Sequence, residues 1–273
     1  MHEQFTFSTE EIIIPQDNYL AIQLGNGHVG FCIYNPEDNR LLQLKRYGLK
    51  SSSTGELDEI LLRNPILQGE FAKIVSALDF GFSTLLPADK SHADPTPLMY
   101  LENADQQDHV ITEIIPKTNI TNVYTVPPQI LTWTVHNFPS SGYLHAHTVQ
   151  IASVATFQEN GLLKVNFSEN MFTVVVFKNE TLLLAKTYQY KTSADVVFYL
   201  LKICEVFGFT QEQVELQLSG LIDIDSKLYK ELYDYFLNVS LKTADWSDTA
   251  SGLPTHYFTS LNELVLCELF QDV

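Results

Sequence analysis

Near the start of the chain three segments carry the hydrophobic pattern of β-strands. Tyr19 to Leu24 and His28 to Tyr34 are apolar runs joined by Gly25-Asn26-Gly27, and Arg40 to Tyr47 follows the polar turn Asn35-Pro36-Glu37-Asp38-Asn39. Asn-Gly between two apolar runs is the strongest short-range signal for a two-residue hairpin, because it supplies the positive φ angles such turns use. The three segments therefore read as an antiparallel meander. Leu57, Ile60 and Leu61 then recur at helical spacing, which predicts a helix over Thr54 to Arg63, stopped by Asn64-Pro65. Strands are expected within Phe71 to Leu86, then at Val110 to Ile115 and Thr121 to Val126. Asp89 to Pro97 reads as a loop and Leu98 to Asn103 as a short helix. Pro127-Pro128 opens a helix running to Phe138, since proline is tolerated in a first helical turn. Tyr143 to Phe157 reads as one or two strands.

From Leu162 the opening pattern returns. Leu162 to Ser168, Met171 to Phe177 and Thr181 to Tyr190 form a second meander, with turns at Glu169-Asn170 and Lys178-Asn179-Glu180. The clearest helix follows: Thr192 or Ser193 caps it, Val196, Val197, Leu200, Leu201, Cys204 and Phe207 share a face, and Gly208 ends it. A buried strand at Val214 to Leu221, an amphipathic helix at Ser226 to Phe236 and a strand at Leu237 to Lys242 complete the half. Right-handed crossovers would set the last two strands parallel to the first. The fold class is α/β. The β-β-β-α-β-α-β unit occurs twice, with extra strands inserted in the first copy, and the chain divides at 1–158 and 159–273.

This duplicated unit resembles the actin-like ATPase superfamily of ribonuclease H-like folds, which includes actin, sugar kinases, Hsp70 and the pseudo-actins of pilus and secretion assembly. More narrowly, the chain resembles a bacterial family of unknown function assigned an actin-like ATPase fold. The segments that carry the likeness are Leu20 to Gly48, Leu162 to Leu241, and His256-Tyr257-Phe258-Thr259-Ser260-Leu261 running into Cys267-Glu268. The resemblance implies two lobes, each with a mixed five-stranded sheet.

In active members of the superfamily each first hairpin carries an Asp-x-Gly-Ser/Thr loop, whose carboxylate organises Mg²⁺ while backbone donors cradle phosphate. Here the first hairpin offers Gly25-Asn26-Gly27-His28, without an acid. The second offers Ser168-Glu169-Asn170, an acid without a glycine. The adenosine motif of the superfamily has paired glycines where this chain has Leu218-Ser219-Gly220-Leu221, and Gly220 reads first as a glycine closing a strand. Asn26, Gly27, Ser168, Glu169 and Gly220 are thus degenerate loop positions. Without a metal carboxylate the electrostatic contribution that dominates phosphoryl transfer is missing, and no cofactor is expected.

Other constellations have simpler readings. Asp223-Ile224-Asp225 is similar in letters to a phosphatase nucleophile loop, but Lys227 stands where Thr or Val belongs, so helix capping is the expected role. His145 and His147 alternate on an expected strand, with His136 upstream; no Cys, Asp or Glu lies near in sequence to complete a Zn²⁺ site, so they are expected to face solvent. Asp79-Phe80-Gly81 matches a kinase tripeptide without its companion loops. Tyr229, Leu232, Tyr233 and Phe236 read as core, with a partner-binding face as the alternative.

The charge narrows the role further. Of 273 residues 33 are acidic and 16 basic, giving a net charge of −17, which repels phosphate backbones and anionic lipid. No nucleic acid and no membrane insertion are expected: the N-terminus lacks a signal pattern and no apolar run is long enough to cross a bilayer. Cys32, Cys204 and Cys267 are scattered in apolar contexts and read as buried structural thiols in a cytoplasmic protein. Together these observations point to a non-catalytic actin-like scaffold or adaptor for a protein or peptide partner. An atypical ATPase or small-molecule kinase is the alternative, and homo-oligomerisation stays open.

Overall fold

The computed structural model describes the chain apart from residues 11, 52, 81, 91–106, 116–117, 155–158, 247–253 and 268–273. The helix expected at Leu98 to Asn103 lies outside the described residues, as do Gly81, Phe157 and Glu268. The chain forms two compact units: Met1–Val149 with Asp245–Ser251 and Leu261–Val273, and Gln150–Ala244 with Gly252–Ser260.

In the first unit the meander is β2 (Tyr19–Gly25), β3 (His28–Asn35) and β4 (Arg40–Gly48), preceded by β1 (His2–Ser8). Helix α1 (Thr54–Arg63) leads to β5 (Lys73–Asp79). An inserted sheet of β6 (Ser83–Pro87), β7 (His109–Ile115) and β8 (Ile120–Val126) follows, then α2 (Pro128–Asn137), β9 (Gly142–His145) and α3 (Ala146–Ala152). The main sheet runs β1-β4-β3-β2-β5-β9 and the insert β6-β8-β7. β5 is parallel to β2 and β9 to β5, as right-handed crossovers require. β2 and β3 are buried along nearly their whole length. That continuous apolar character marks strands covered on both faces. Ile22, Leu24, Val29, Phe31 and Ile33 pack with Leu57, Ile60 and Leu61 of α1 and with Ile130 and Trp133 of α2.

The second unit repeats the plan without the insert: β10 (Leu162–Phe167), β11 (Met171–Lys178), β12 (Thr181–Gln189), α4 (Ser193–Phe207), β13 (Glu215–Gly220), α5 (Lys227–Tyr235) and β14 (Asn238–Leu241). Its sheet order is β12-β11-β10-β13-β14, with β10, β13 and β14 parallel. Thr192 caps α4 through a capping box with Asp195, and Gly208 ends it at φ 67°. Leu232 and Phe236 are buried whereas Tyr233 is exposed, so only half of the expected aromatic stripe is core. Cys32, Cys204 and Cys267 are buried free thiols. The last helix, α6, spans Thr259–Leu266. Among the described residues no helix is long and apolar enough to cross a membrane.

Three features differ from the sequence reading. β1 was expected only as a lead; it is a seven-residue strand paired antiparallel with β4, with a register shift between Glu3 and Phe5. Of the strands expected over Tyr143 to Phe157, β9 alone forms among the described residues, and Ala146–Ala152 is helical. Residues 145–151 are all buried, polar His147, Thr148 and Gln150 included, so the polar positions do not mark a solvent face and the segment lacks the period that separates helix from strand. His145 and His147, expected in solvent, are buried at 2% and 3% exposure.

Candidate functional site

The three loops that handle nucleotide in the resemblance stand at the carboxyl ends of β2, β10 and β13. At the first, Gly25 pairs with His28 across the two-residue turn Asn26-Gly27. Only Gly27 takes a positive φ, at 89°, so the turn is of the type II kind rather than the doubly left-handed form that Asn-Gly predicts. The Asn26 amide donates to the carbonyl of Asp79 at 3.2 Å, and the Leu49 amide donates to Gly27 at 2.7 Å. The turn is held from both sides by the chain itself. The buried His28 ring lies over Gly25, where a Cβ would collide with it. Burial, with Arg46 nearby, keeps this imidazole neutral far below its usual range.

A carboxylate does stand at this hairpin, supplied from another strand. Parallel register sets Asp79, the last residue of β5, beside Gly25. Burial raises Asp79 to about 6, against the opposing pull of Arg46, whose Nε donates to Gln4 Oε1 at 3.1 Å. The sequence reading met Asp79 only as part of an unsupported tripeptide. The signal that could have found it was its place at the end of the strand parallel to β2.

At the second hairpin Glu169 and Asn170 are exposed and Ser168 is half-buried. Tyr190 closes over the turn: its amide donates to Asn170 at 2.9 Å and its hydroxyl to the Ser168 carbonyl at 3.2 Å. At the third, Gly220 ends β13 at φ 79°, and a side chain there would strike the backbone of Phe167 on β10. The glycine allows β10 and β13 to approach. Beyond it the 3-10 turn Thr255–Phe258 is bonded to the strand end: His256 Nε2 donates to the Ile222 carbonyl at 2.8 Å and the Tyr257 hydroxyl donates to Asp223 Oδ1. The Asp223 carboxylate is engaged with Tyr257, and the cap of α5 is the Ser226 hydroxyl, which accepts from Tyr229 N at 3.1 Å. Capping by acidic side chains is thereby corrected.

The histidines belong to a buried polar network in the first unit. Glu113 of β7 accepts from the His145 amide at 3.0 Å and from Tyr124 Oη at 3.1 Å. Asn122 donates to Thr148 Oγ1 at 3.1 Å and accepts from Ser83 Oγ at 2.7 Å, and Ser83 also meets His147 Nδ1 at 3.2 Å. The His147 amide donates to His145 Nδ1 at 3.1 Å, so that nitrogen is unprotonated. Burial lowers His147 to about 4, burial and the neighbouring His147 hold His145 well below its usual range, and burial raises Glu113 and Tyr124. Every strand of the insert is thus bonded to β9 or α3 through side chains. Among the described residues no three His, Cys, Asp or Glu side chains converge as a metal-binding set.

Residues 8–239 match the model of a family described as a protein of unknown function, DUF3822. The chain belongs to this family. The family chain is similar in structure to a Bacteroides thetaiotaomicron protein with actin-like ATPase fold and unknown function, at a TM-score of 0.77 and 19% identity over 93% of this chain and 97% of that one. It is also similar to a chain of the PilM–PilN type IV pilus biogenesis complex, at 0.59 and 11% over 92% and 98%. The ethanolamine utilization protein EutJ from Carboxydothermus hydrogenoformans gives 0.53 and 8% over 93% and 91%. No curated protein matches the chain. The DUF3822 chain therefore has the actin-like ATPase fold.

Proposed function

We propose that this protein is a non-catalytic member of the actin-like fold that works as a scaffold or adaptor for a protein partner in the cytoplasm. The observation that carries the reading is the closure of all three nucleotide-type loops by the chain's own groups. His28 lies over Gly25, Tyr190 bonds the Ser168–Asn170 turn, and His256 and Tyr257 bond the residues after Gly220. A phosphate cradle needs free backbone donors and a metal carboxylate. At these turns the amides of Asn26, Ser168, Leu221 and Ile222 donate instead to the carbonyls of Asp79, Met171, Phe167 and Gly220. A similar structure comes from a complex of two pilus biogenesis proteins, which supports a protein partner for the fold without identifying one. Three buried thiols accord with a reducing compartment.

Calorimetric titration with ATP and Mg²⁺ at high protein concentration tests the first half of the reading. No heat of binding is expected, and micromolar affinity or measurable turnover would overturn it. Affinity capture with the full chain as bait tests the second half, with one stoichiometric protein partner expected. Asp79 favours the alternative of an atypical ATPase or small-molecule kinase, since it brings a carboxylate to Gly25 from an unexpected strand. If Mg·ATP binds, that alternative requires Asp79→Asn to abolish the binding.

A further inference from the structure

The stretch that forms β12 and α4, residues 181–207, differs in charge from the chain around it. In a chain of net charge −17 it carries three lysines and two acids. Both acids are engaged. Asp195 closes the capping box of α4, accepting from the Lys191 and Thr192 amides at 2.9 Å, and Glu205 pairs with Lys202 at 2.8 Å. Lys186 and Lys191 are exposed, and Lys186 makes no ion pair among the described residues: its ammonium lies 5.6 Å from the centre of the Tyr188 ring.

The same two elements bring aromatic surface out from the core. Phe172 of β11 stacks on Tyr188 of β12 with centroids 5.4 Å apart, Tyr188 meets Tyr199 of α4 at 4.5 Å, and Phe198 stands edge-on to Tyr199 at 5.6 Å. Exposure rises along this run, from buried Phe172 through half-buried Tyr188 and Tyr199 to Phe198 at 63%. On α4 Phe198, Lys202 and Val206 follow at i, i+4 and i+8, so they share one face, and Val206 is 64% exposed. An outward helix face is ordinarily polar. A connected apolar patch with aromatic side chains marks a contact surface, unlike the usual scatter of single exposed residues.

We propose that the strip of Phe198, Tyr199 and Tyr188, flanked by Lys186 and Lys202, docks an acidic segment of a protein partner, its apolar side chains on the rings and its carboxylates at the lysines. This rests on the scaffold reading and adds the partner's chemistry to it. Charge complementarity selects the occupant. An acidic segment is repelled by the chain as a whole and attracted here, which fixes where it settles, whereas a basic segment is drawn to the acidic remainder of the surface and meets lysines here. Two-fold contact between copies would set the patch against itself and bring its lysines together. An anionic bilayer would find three lysines here in a chain of net charge −17, short of the roughly four to eight basic residues of a lipid-binding cluster.

Panning random peptides displayed on phage against the immobilised full chain tests the site. Peptides that combine acids with aromatic or large aliphatic residues should be enriched. Their retention should fall about 100-fold on the double variant Phe198→Ser, Lys186→Glu, about tenfold for each contact, with an unchanged circular dichroism spectrum because both side chains are exposed. Should that variant unfold, Lys186→Glu with Lys202→Glu keeps every ring and must lose retention in its place. No enrichment, enrichment of peptides without acids, or equal retention on the variants overturns the site. So does a natural partner, caught with the full chain as bait, that binds the double variant as well as the wild type; that result leaves the scaffold reading standing. Capture of no partner overturns the scaffold reading and this inference with it. Binding of phosphatidylserine vesicles that the double variant abolishes would assign the strip to a membrane and overturn the proposal, as would a wild-type dimer that the double variant makes monomeric.

Discussion

The two units build one five-strand framework twice and differ in how they treat polar groups. In the second unit the sheet packs on α4 and α5 through an almost wholly apolar cluster. Its aromatic members form a run of contacts from Phe167 through Phe172 to Tyr188 and Tyr199. Polar side chains there serve turns and caps or bridge neighbouring strands in pairs, as Asn166 with Ser219 and Thr173 with Thr187. The first unit has an equivalent apolar cluster and adds two elements, β1 and the three-stranded insert. The insert is bonded to β9 and α3 by Glu113, Tyr124, Asn122, Ser83, His147 and Thr148 rather than by apolar packing alone. The shared framework rests on hydrophobic pattern, and the addition rests on hydrogen bonds that must all be made at once. The first unit should therefore respond to protons and to single polar deletions in ways the second does not.

The largest expected effect breaks the second framework at its tightest point. Gly220→Ala combines a left-handed φ with a collision against Phe167, and should cost about 3–5 kcal/mol in urea unfolding. Gly27→Ala, in the first unit's hairpin at φ 89° with open space around it, carries only the backbone strain and should cost about 1–2 kcal/mol. Equal losses would mean that the close approach at Gly220 is not what the glycine is for. Next, Glu113→Ala leaves the His145 amide and the Tyr124 hydroxyl without their buried acceptor and should cost about 2–4 kcal/mol.

The pH dependence separates the units more finely. His147 has a folded pKa of about 4 against 6.5 when unfolded, so the unfolded chain binds more protons between those values and stability falls as pH falls. This histidine alone should remove about 2 kcal/mol between pH 7 and 5. His145 and His28 act in the same direction. Glu113 and Asp79, whose pKa values are raised, act oppositely: their burdens are present at high pH and relieved on acidification. His147→Asn should flatten the stability profile measured by thermal unfolding from pH 7 to 5. An unchanged slope would remove the network from the account. Smallest is Thr192→Ala in the second unit, which loses one half of a capping box and about 1 kcal/mol with no pH dependence in this range.

Most of the framework was legible because its signals are local. Leu57, Ile60 and Leu61 fixed α1 at its observed bounds, and Thr192 with Gly208 bracketed α4. The meanders could be read from apolar runs between turn residues. The misreadings arose where an environment is set by distant chain. β1 is a strand because β4 offers it an edge, which nothing within His2–Ser8 announces. α3 buries His147, Thr148 and Gln150 along with its apolar residues, so its polar positions point to no solvent face. His145 and His147 looked like surface residues because the groups that bond them, Glu113 to the His145 amide and Ser83 to the His147 ring, come from β7 and β6. At the candidate loops the residue types were readable, while what closes them was not: Tyr190, His256 and Tyr257 reach those turns through the fold. Asp79 was missed for the same reason.

The three buried thiols have a practical meaning. Burial pushes the Cys204 thiol up to about 11 and the Cys32 thiol higher, far from the thiolate form that reacts with maleimides or disulfides. Cys267 is likewise out of solvent. The native chain is thus close to a blank background for thiol chemistry, so a single engineered cysteine can carry a fluorophore, spin label or photocrosslinker without first stripping the protein of its own.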